Sequence, residues 1–359
     1  MDRSCGETKG AVVQERLDEL VTDYANGYFT RRGFLAKVGA LGLSATAAVN
    51  LADQAEAGLE SAHEPGQVIG DAVAGGAWEV VDLSLTTAEN HPTNWPTDPQ
   101  FHVVPMTWFK RIPGPNGTNG AVEPSEAAVQ RYEINEHTAT QIDFPPHFIP
   151  PPGLDIPGAP GSSWGLMTGD KIELAAFMGP AVVVDVRDLL DGNDTAGVSA
   201  QITREWLLRW EQRYGRFQAN EVPMWFSGYT DRYYRPFPDN DRFQDRMLWK
   251  PIVEKSEPAW VAADPGAVEL LHERGVRHAV TDAPSWGAAE DGQPGHVAGL
   301  RHGMTWTEGA VNLGSLPVRG AFYIGSPYKV KDQQAAIARA FAIKAAGASP
   351  AGASAPLRL

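Results

Sequence analysis

From Val129 onward the chain alternates. Val129, Arg131, Glu133, Asn135 and His137 fall on one side of an extended segment, and Tyr132, Ile134 and Glu136 on the other. Side chains repeat every two residues along a strand, so a strand that runs on gives His137, Gln141 and Asp143 a common face. Pro145 and Pro146 cannot continue a hydrogen-bonded ladder, and the bend they impose would carry His147 back over that face. A row of His, Gln and Asp is an odd way to build a core and a natural way to hold a cation. The same residues also suit a polar strand face capped by one histidine.

Other patterns place the elements around this stretch. Trp78 to Leu85 reads as a strand from its β-branched and alternating content. Ala181-Val182-Val183-Val184-Asp185-Val186 reads as a short apolar strand buried on both faces, and Val222 to Ser227 as another. Thr203 can cap a helix running to Tyr214, with Trp206, Leu207, Trp210 and Tyr214 at helical spacing. Ala267 to Arg274 reads as a helix ended by Gly275. Val276 to Thr281 and Ala321 to Ile324 read as late strands. A Pro/Gly-rich loop from Pro150 to Gly165 directly follows His147 and is a candidate lid. Residues 113–120 read as a turn insertion. Strands and single helices alternate without a strict βαβ rhythm, so the class is mixed α/β.

The chain ends read differently. Thr30-Arg31-Arg32-Gly33-Phe34-Leu35-Ala36-Lys37, a small apolar stretch from Val38 to Ala52, and Ala55-Glu56-Ala57-Gly58 have the form of a twin-arginine export signal with its cleavage site. The expected product is periplasmic or extracellular, with a cytoplasmic chain as the alternative. The apolar stretch is shorter than the roughly 20 residues a bilayer span needs. The leader before it could also form an amphipathic helix through Val13, Leu17, Leu20, Val21 and Tyr24. The expected organisation is a signal over 1–57, a linker over 58–76, one catalytic domain over 77–345 and a disordered tail over 346–359.

Composition narrows the chemistry. The chain has 359 residues, 43% hydrophobic and 21% charged, with a formal net charge of −14. That is enough chain for a full core. An acidic surface with no Lys/Arg cluster argues against nucleic acid and anionic membranes as partners. Cys5 is the single cysteine, which rules out an internal disulfide and a cysteine-based zinc site. No glycine-rich phosphate loop and no G-x-S-x-G is present in the needed context. A metal must therefore be held by His, Asp, Glu or amide oxygens. Beyond the first stretch, His296, His302 and Glu308 are the available donors in the run from Pro294 to Leu313, and spacing alone does not choose among them.

Together these residues resemble the cyclase-like metal-dependent hydrolases, which include bacterial arylformamidases (kynurenine formamidase) and isatin hydrolases. The family signature is His-x-Gly-Thr-His-x-Asp-x-Pro-x-His. This chain has His137-x-Ala139-Thr140-Gln141-x-Asp143-x-Pro145-x-His147, with Ala139 for the glycine and Gln141 for the middle histidine. The likeness covers roughly Val80 to Ile343. It includes Asp82-Leu83-Ser84 with Trp95-Pro96-Thr97-Asp98, Thr281-Asp282-Ala283-Pro284-Ser285, Glu308 to Leu313, and Arg319-Gly320 to Val330.

The resemblance implies a swivelling β/β/α fold with barrel-like mixed sheets and one or two divalent ions, manganese or zinc. It implies metal ligands at His137, Gln141, Asp143, His296 and Glu308, the family interval selecting His296 over His302. It implies His147 as acid/base, Trp95 packing on the substrate, and a homo-oligomer. The implied reaction is hydrolysis of an amide or lactam by metal-activated water; an impaired binding protein and a lyase or dehydratase are the alternatives. Trp108, Phe148, Trp164 and Trp286 lie in or near the expected site loops and favour an aromatic substrate. A neutral Gln141 oxygen among the ligands would shift preference from zinc toward manganese or magnesium.

Overall fold

The second half of the chain carries β-branched residues that face two cores at once. In the computed structural model, which describes residues 16–21, 31–41, 44, 46–53, 65–109, 123–237 and 241–356, the strands are β1 (Trp78–Asp82), β2 (His102–Phe109), β3 (Glu123–Ser125), β4 (Val129–Glu133), β5 (Gln141–Asp143), β6 (Met178–Asp185), β7 (Ala200–Ile202), β8 (Val222–Phe226), β9 (Val261–Ala263), β10 (His278–Thr281), β11 (Thr305–Glu308), β12 (Arg319–Pro327) and β13 (Ala335–Ala345). The main sheet runs β1-β13-β12-β6-β8-β10-β11-β5, and β5 also pairs with β13. Seven strands thus close into a ring, with β1 attached outside it on β13. The segment β6-β8-β10-β11 is parallel and the remaining pairs are antiparallel.

Alternation on these strands builds both cores. Ala181, Val183, Met224, Val280, Tyr323 and Ala342 pack in one cluster. Val182, Val184, Trp225, Ala279 and Trp306 pack in the other, with Trp206, Leu207 and Trp210 of the Arg204–Tyr214 helix and Val268, Leu270 and Leu271 of the Pro265–Glu273 helix. The strands are apolar on both faces because both are covered. The Thr203 hydroxyl accepts from the Trp206 N–H, the cap expected there, and Gly275 closes the second helix region at a φ of +81°. A separate three-stranded sheet, β3-β2-β4, leaves every residue of β4 exposed.

The chain divides into two units, Met1–Ala77 and Trp78–Leu359. In the first, the helix Arg31–Ala40 buries Phe34 and Val38 against Leu17, Ala48 and Ala52. The expected cleavage site at Ala55 to Gly58 and the turn insertion at 113–120 lie outside the described residues. No helix among the described residues is long and apolar enough to cross a membrane.

Two expectations about unstructured segments fail. The expected linker contains a helix, Pro65–Ala74: Pro65 starts it, Val68, Ile69, Ala72 and Val73 recur at helical spacing, and Gly76 at a φ of +74° follows its end. The expected disordered tail is held in place as far as it is described. The Ala351 N–H donates to the Leu316 carbonyl at 2.7 Å, and Arg187 donates to the carbonyls of Gly352 and Ser354. Small residues allowed that close approach; composition alone suggested disorder.

One polar group sits inside the ring. His278 on β10 is buried, with Nδ1 2.8 Å from the Thr305 hydroxyl and Nε2 3.0 Å from the Thr307 hydroxyl, which in turn meets the Tyr323 hydroxyl at 2.6 Å. A neutral imidazole has one donor and one acceptor nitrogen and fits this chain. Burial pushes the His278 pKa from 6.5 down to about 3. In that window the unfolded chain binds one more proton than the folded one. The stability contributed is therefore full above pH 6.5 and is lost as pH falls toward 3, at about 1.4 kcal/mol per pH unit for this group. In His278→Gln that component of the acid slope should vanish, read from urea midpoints between pH 4 and 7. Parallel slopes in the two proteins would assign the titration elsewhere.

Candidate metal centre

Register between two short strands creates the centre. β5 and β11 are antiparallel with Gln141 opposite Glu308 and Asp143 opposite Trp306. Their neighbours Ile142 and Thr307 turn to the opposite face, so Gln141, Asp143 and Glu308 share one side. The helix Gln293–Leu300 brings His296, buried like the three strand residues, to the same place.

His137 and His147 arrive by turns. The strand expected to run from Val129 through Asp143 is instead two strands in different sheets. Between them Ala139 takes a left-handed φ of +56°, its N–H bonded to the Thr93 carbonyl at 2.7 Å. Thr138 is buried and accepts from Asn94, and the Thr140 hydroxyl donates to the Gly309 carbonyl. The turn returns His137 to the β5 face. Pro145 then opens a 3-10 helix, Pro145–His147, which folds His147 back over Asp143.

The Asp143 carboxylate is the shared point. His137 Nδ1 lies 3.2 Å from one oxygen, and His147 Nε2 and His296 Nε2 lie 3.6 and 3.5 Å from the other. Neither buried oxygen receives a well-aligned hydrogen bond. His296 Nδ1 faces the Gly292 carbonyl at 2.7 Å, which makes Nδ1 the donor and leaves the Nε2 lone pair toward Asp143 and toward Glu308 Oε1 at 3.2 Å. Orienting a histidine by its second nitrogen is how metal-ligating imidazoles are held. Glu308 Oε1 also accepts from the Trp286 N–H at 2.6 Å, and Oε2 from the Gln141 amide at 2.7 Å. Two groups of donors, His137-Asp143-His147 and Asp143-His296-Glu308, each bring their ligand atoms within 4.8 Å of one another. Facing lone pairs repel unless a cation lies among them, so the donor set fits a divalent ion.

The electrostatics agree. Burial alone would push the Asp143 carboxyl up, but the imidazoles of His147, His137 and His296 hold it below the usual carboxylate range. Burial would lower His296, yet Asp143 and Glu308 raise it to about 10, so a proton is drawn to the place that suits a cation. Burial likewise opposes the rise of His137, which Asp143 carries to about 8. His147 is pushed down to about 3 by burial, with His137 and His296 adding to the effect, and is neutral near pH 7.

The centre floors a cavity of about 520 Å³ lined by Trp95, His147, Phe148, Met247 and Leu248, among others. The structure brings together all six residues His137, Gln141, Asp143, His147, His296 and Glu308, with Trp95 on the wall. His302 lies elsewhere, stacked on His272 at 3.9 Å and facing Glu269. Of the other aromatics considered, Phe148 lines the cavity. Trp108 belongs to β2, Trp164 packs into the space left by Gly303, and Trp286 stacks on Trp306 at 4.6 Å. The expected lid is a pinned loop: no residue of 150–165 lines the cavity, and Gly161 and Gly165 let it close tightly on the carbonyls of Pro151, Leu154 and Pro150. The sequence reading missed the Trp286 N–H and the Gly292 carbonyl, which are main-chain groups without a residue signature. It also missed Met247 and Leu248, whose apolar side chains look like core.

The Cyclase family model matches residues 81–288, more than half of the chain. The chain belongs to the cyclase family. Among solved structures this cyclase-family chain is similar to isatin hydrolase A from Labrenzia aggregata bound to benzyl benzoate, at 23% identity and a TM-score of 0.58 over 78% of this chain and 98% of that one. Isatin hydrolase A from Ralstonia solanacearum gives 23% and 0.58 over 79% and 98%. An isatin hydrolase bound to the product analogue thioisatinate gives 18% and 0.60 over 79% and 99%. These likenesses establish the shared fold. No curated protein matches the chain in sequence.

Ala139 stands where the cyclase signature has glycine, in a left-handed conformation that costs an L-residue about 1–2 kcal/mol. Ala139→Gly should therefore stabilise the protein by about 0.5–1 kcal/mol after the flexibility of glycine is offset. A raised urea midpoint at unchanged slope would show it; a lowered midpoint would mean that the methyl group packs favourably.

Proposed function

We propose that this chain is a metal-dependent hydrolase that opens the C–N bond of a small amide or cyclic amide. The observation that carries the reading is the shared Asp143: a fully buried carboxylate with both oxygens unsatisfied, ringed by three imidazoles at the floor of a cavity with mixed polar and apolar walls. Burying such a charge costs several kcal/mol unless it is compensated. A divalent ion bound there would compensate it, polarise a carbonyl oxygen and lower the pKa of water from about 15.7 to about 7.

The residues divide the remaining work. Asp143, His296 and Glu308 supply two carboxylates and one imidazole that would give up its proton on binding the ion; the charge of the two carboxylates matches a dication, and the donors suit manganese or zinc. The Gln141 amide nitrogen spans the two donor groups, 2.7 Å from Glu308 and 3.2 Å from His137. Turned the other way, its oxygen would face the Glu308 carboxylate, so Gln141 acts in this reading as a donor that fixes Glu308. His147 lines the cavity and is neutral, so it can take the proton of the attacking water and return it to the leaving nitrogen. Water adds across the C–N bond, leaving a carboxylic acid and an amine, and no side chain forms a covalent intermediate. The walls formed by Trp95 and Phe148 suit an aromatic substrate, in keeping with the aromatic molecules named in the isatin hydrolase structures.

Elemental analysis of the purified protein, with calorimetric titration by manganese and zinc, should give at least one tightly bound ion per chain. His147→Ala should keep that ion and lose roughly 100-fold to 10,000-fold in amide turnover. No bound transition metal and no activity on adding manganese or zinc would rule out the reading.

A further inference from the structure

The cavity carries one more charged group, away from the metal donors. Asp98 lines it, half-buried, and among the described residues no Lys or Arg lines it. The side-chain partner of Asp98 among the described residues is neutral: Asn135 Nδ2 donates to Asp98 Oδ2 at 2.9 Å. Asn135 Oδ1 accepts the His137 N–H at 2.8 Å. One amide therefore ties the carboxylate to the segment that bears the first donor histidine, and fixes it relative to the centre. Asp98 also shares a turn with Trp95, through its own N–H to the Trp95 carbonyl at 2.9 Å.

A carboxylate that shares a cavity with the Trp95 indole, with no Lys or Arg among the described residues that line it, is complementary to an ammonium or guanidinium group. The carboxylate pairs with the charge and the indole face attracts it. The same arrangement repels a carboxylate-bearing ligand, and the net charge of −14 adds to that selection at long range.

We propose that Asp98 is the recognition point for a positively charged group on the substrate, so that the site takes an aromatic amide or lactam carrying an amine or guanidine. The proposal rests on the amide-hydrolase reading for the reacting end of the molecule. The reacting carbonyl goes to the Asp143 centre and the cationic end to Asp98.

Three matched probes test it on the full chain with metal bound: para-(aminomethyl)benzamide, its neutral para-(hydroxymethyl) counterpart and the anionic para-carboxybenzamide. Affinities are measured by calorimetry. The cationic probe should bind roughly fivefold to tenfold more tightly than the neutral one, and the anionic probe most weakly. Asp98→Asn keeps the Asn135 contact and should level the three, with the neutral probe unchanged. Asp98→Lys should invert the order, a gain for the anion that misfolding cannot imitate. A cationic probe that binds no better than the neutral one, or an order that survives Asp98→Asn, overturns the proposal, as does absence of binding by the cationic probe at millimolar concentration. Turnover of the neutral probe is scored separately: its absence counts against the hydrolase reading and leaves the charge order standing.

Discussion

A buried carboxylate grouped with three imidazoles and a second carboxylate is the constraint on which the structure turns. Asp143 has no exposed surface, and a charge in that position must be matched by charge or hydrogen bonds. Three separate pieces of chain answer it. The Asn135–Thr140 turn delivers His137, the 3-10 helix after Pro145 delivers His147 and the Gln293–Leu300 helix delivers His296, while β11 adds Glu308, a second carboxylate held by the Trp286 N–H, which deepens the demand for a cation. The turn and the Gln293–Leu300 helix are each anchored by main-chain hydrogen bonds, which fix where His137 and His296 enter the centre.

Much of this was legible in the sequence because it is local. His137, Gln141, Asp143 and His147 lie within eleven residues, and the alternation and prolines there imply convergence whatever the long-range fold. Thr203 and Gly275 mark helix ends through their own chemistry. The pairing with His296 and Glu308 was legible only through the family interval, because nothing local distinguishes His296 from His302. What separates them is that His296 lies within the Gln293–Leu300 helix, while His302 lies in the turn after its end and stacks on His272.

The failures share a cause. The strand from Val129 to Asp143 was expected to be continuous because a two-residue period says nothing about a single left-handed residue, and alanine is not the residue that usually marks one. The tail past Ala345 was expected to be disordered because small residues look like linker, although small residues also allow close docking on Leu316. The loop at 150–165 was read as a candidate lid because it directly follows His147, yet Gly161 and Gly165 serve close contact. In each case the deciding quantity was a tertiary distance.

The strand that carries Gln141 and Asp143 is only three residues long, and it is also the one that joins β11 to β13. Closing the ring and assembling the centre are therefore one event. If β5 detaches, the site disappears and two strand edges, β11 and the eleven-residue β13, lose a partner at the same moment. Unpaired edges of that kind recruit other chains. Loss of β5 would thus surface as aggregation or proteolysis together with loss of the site.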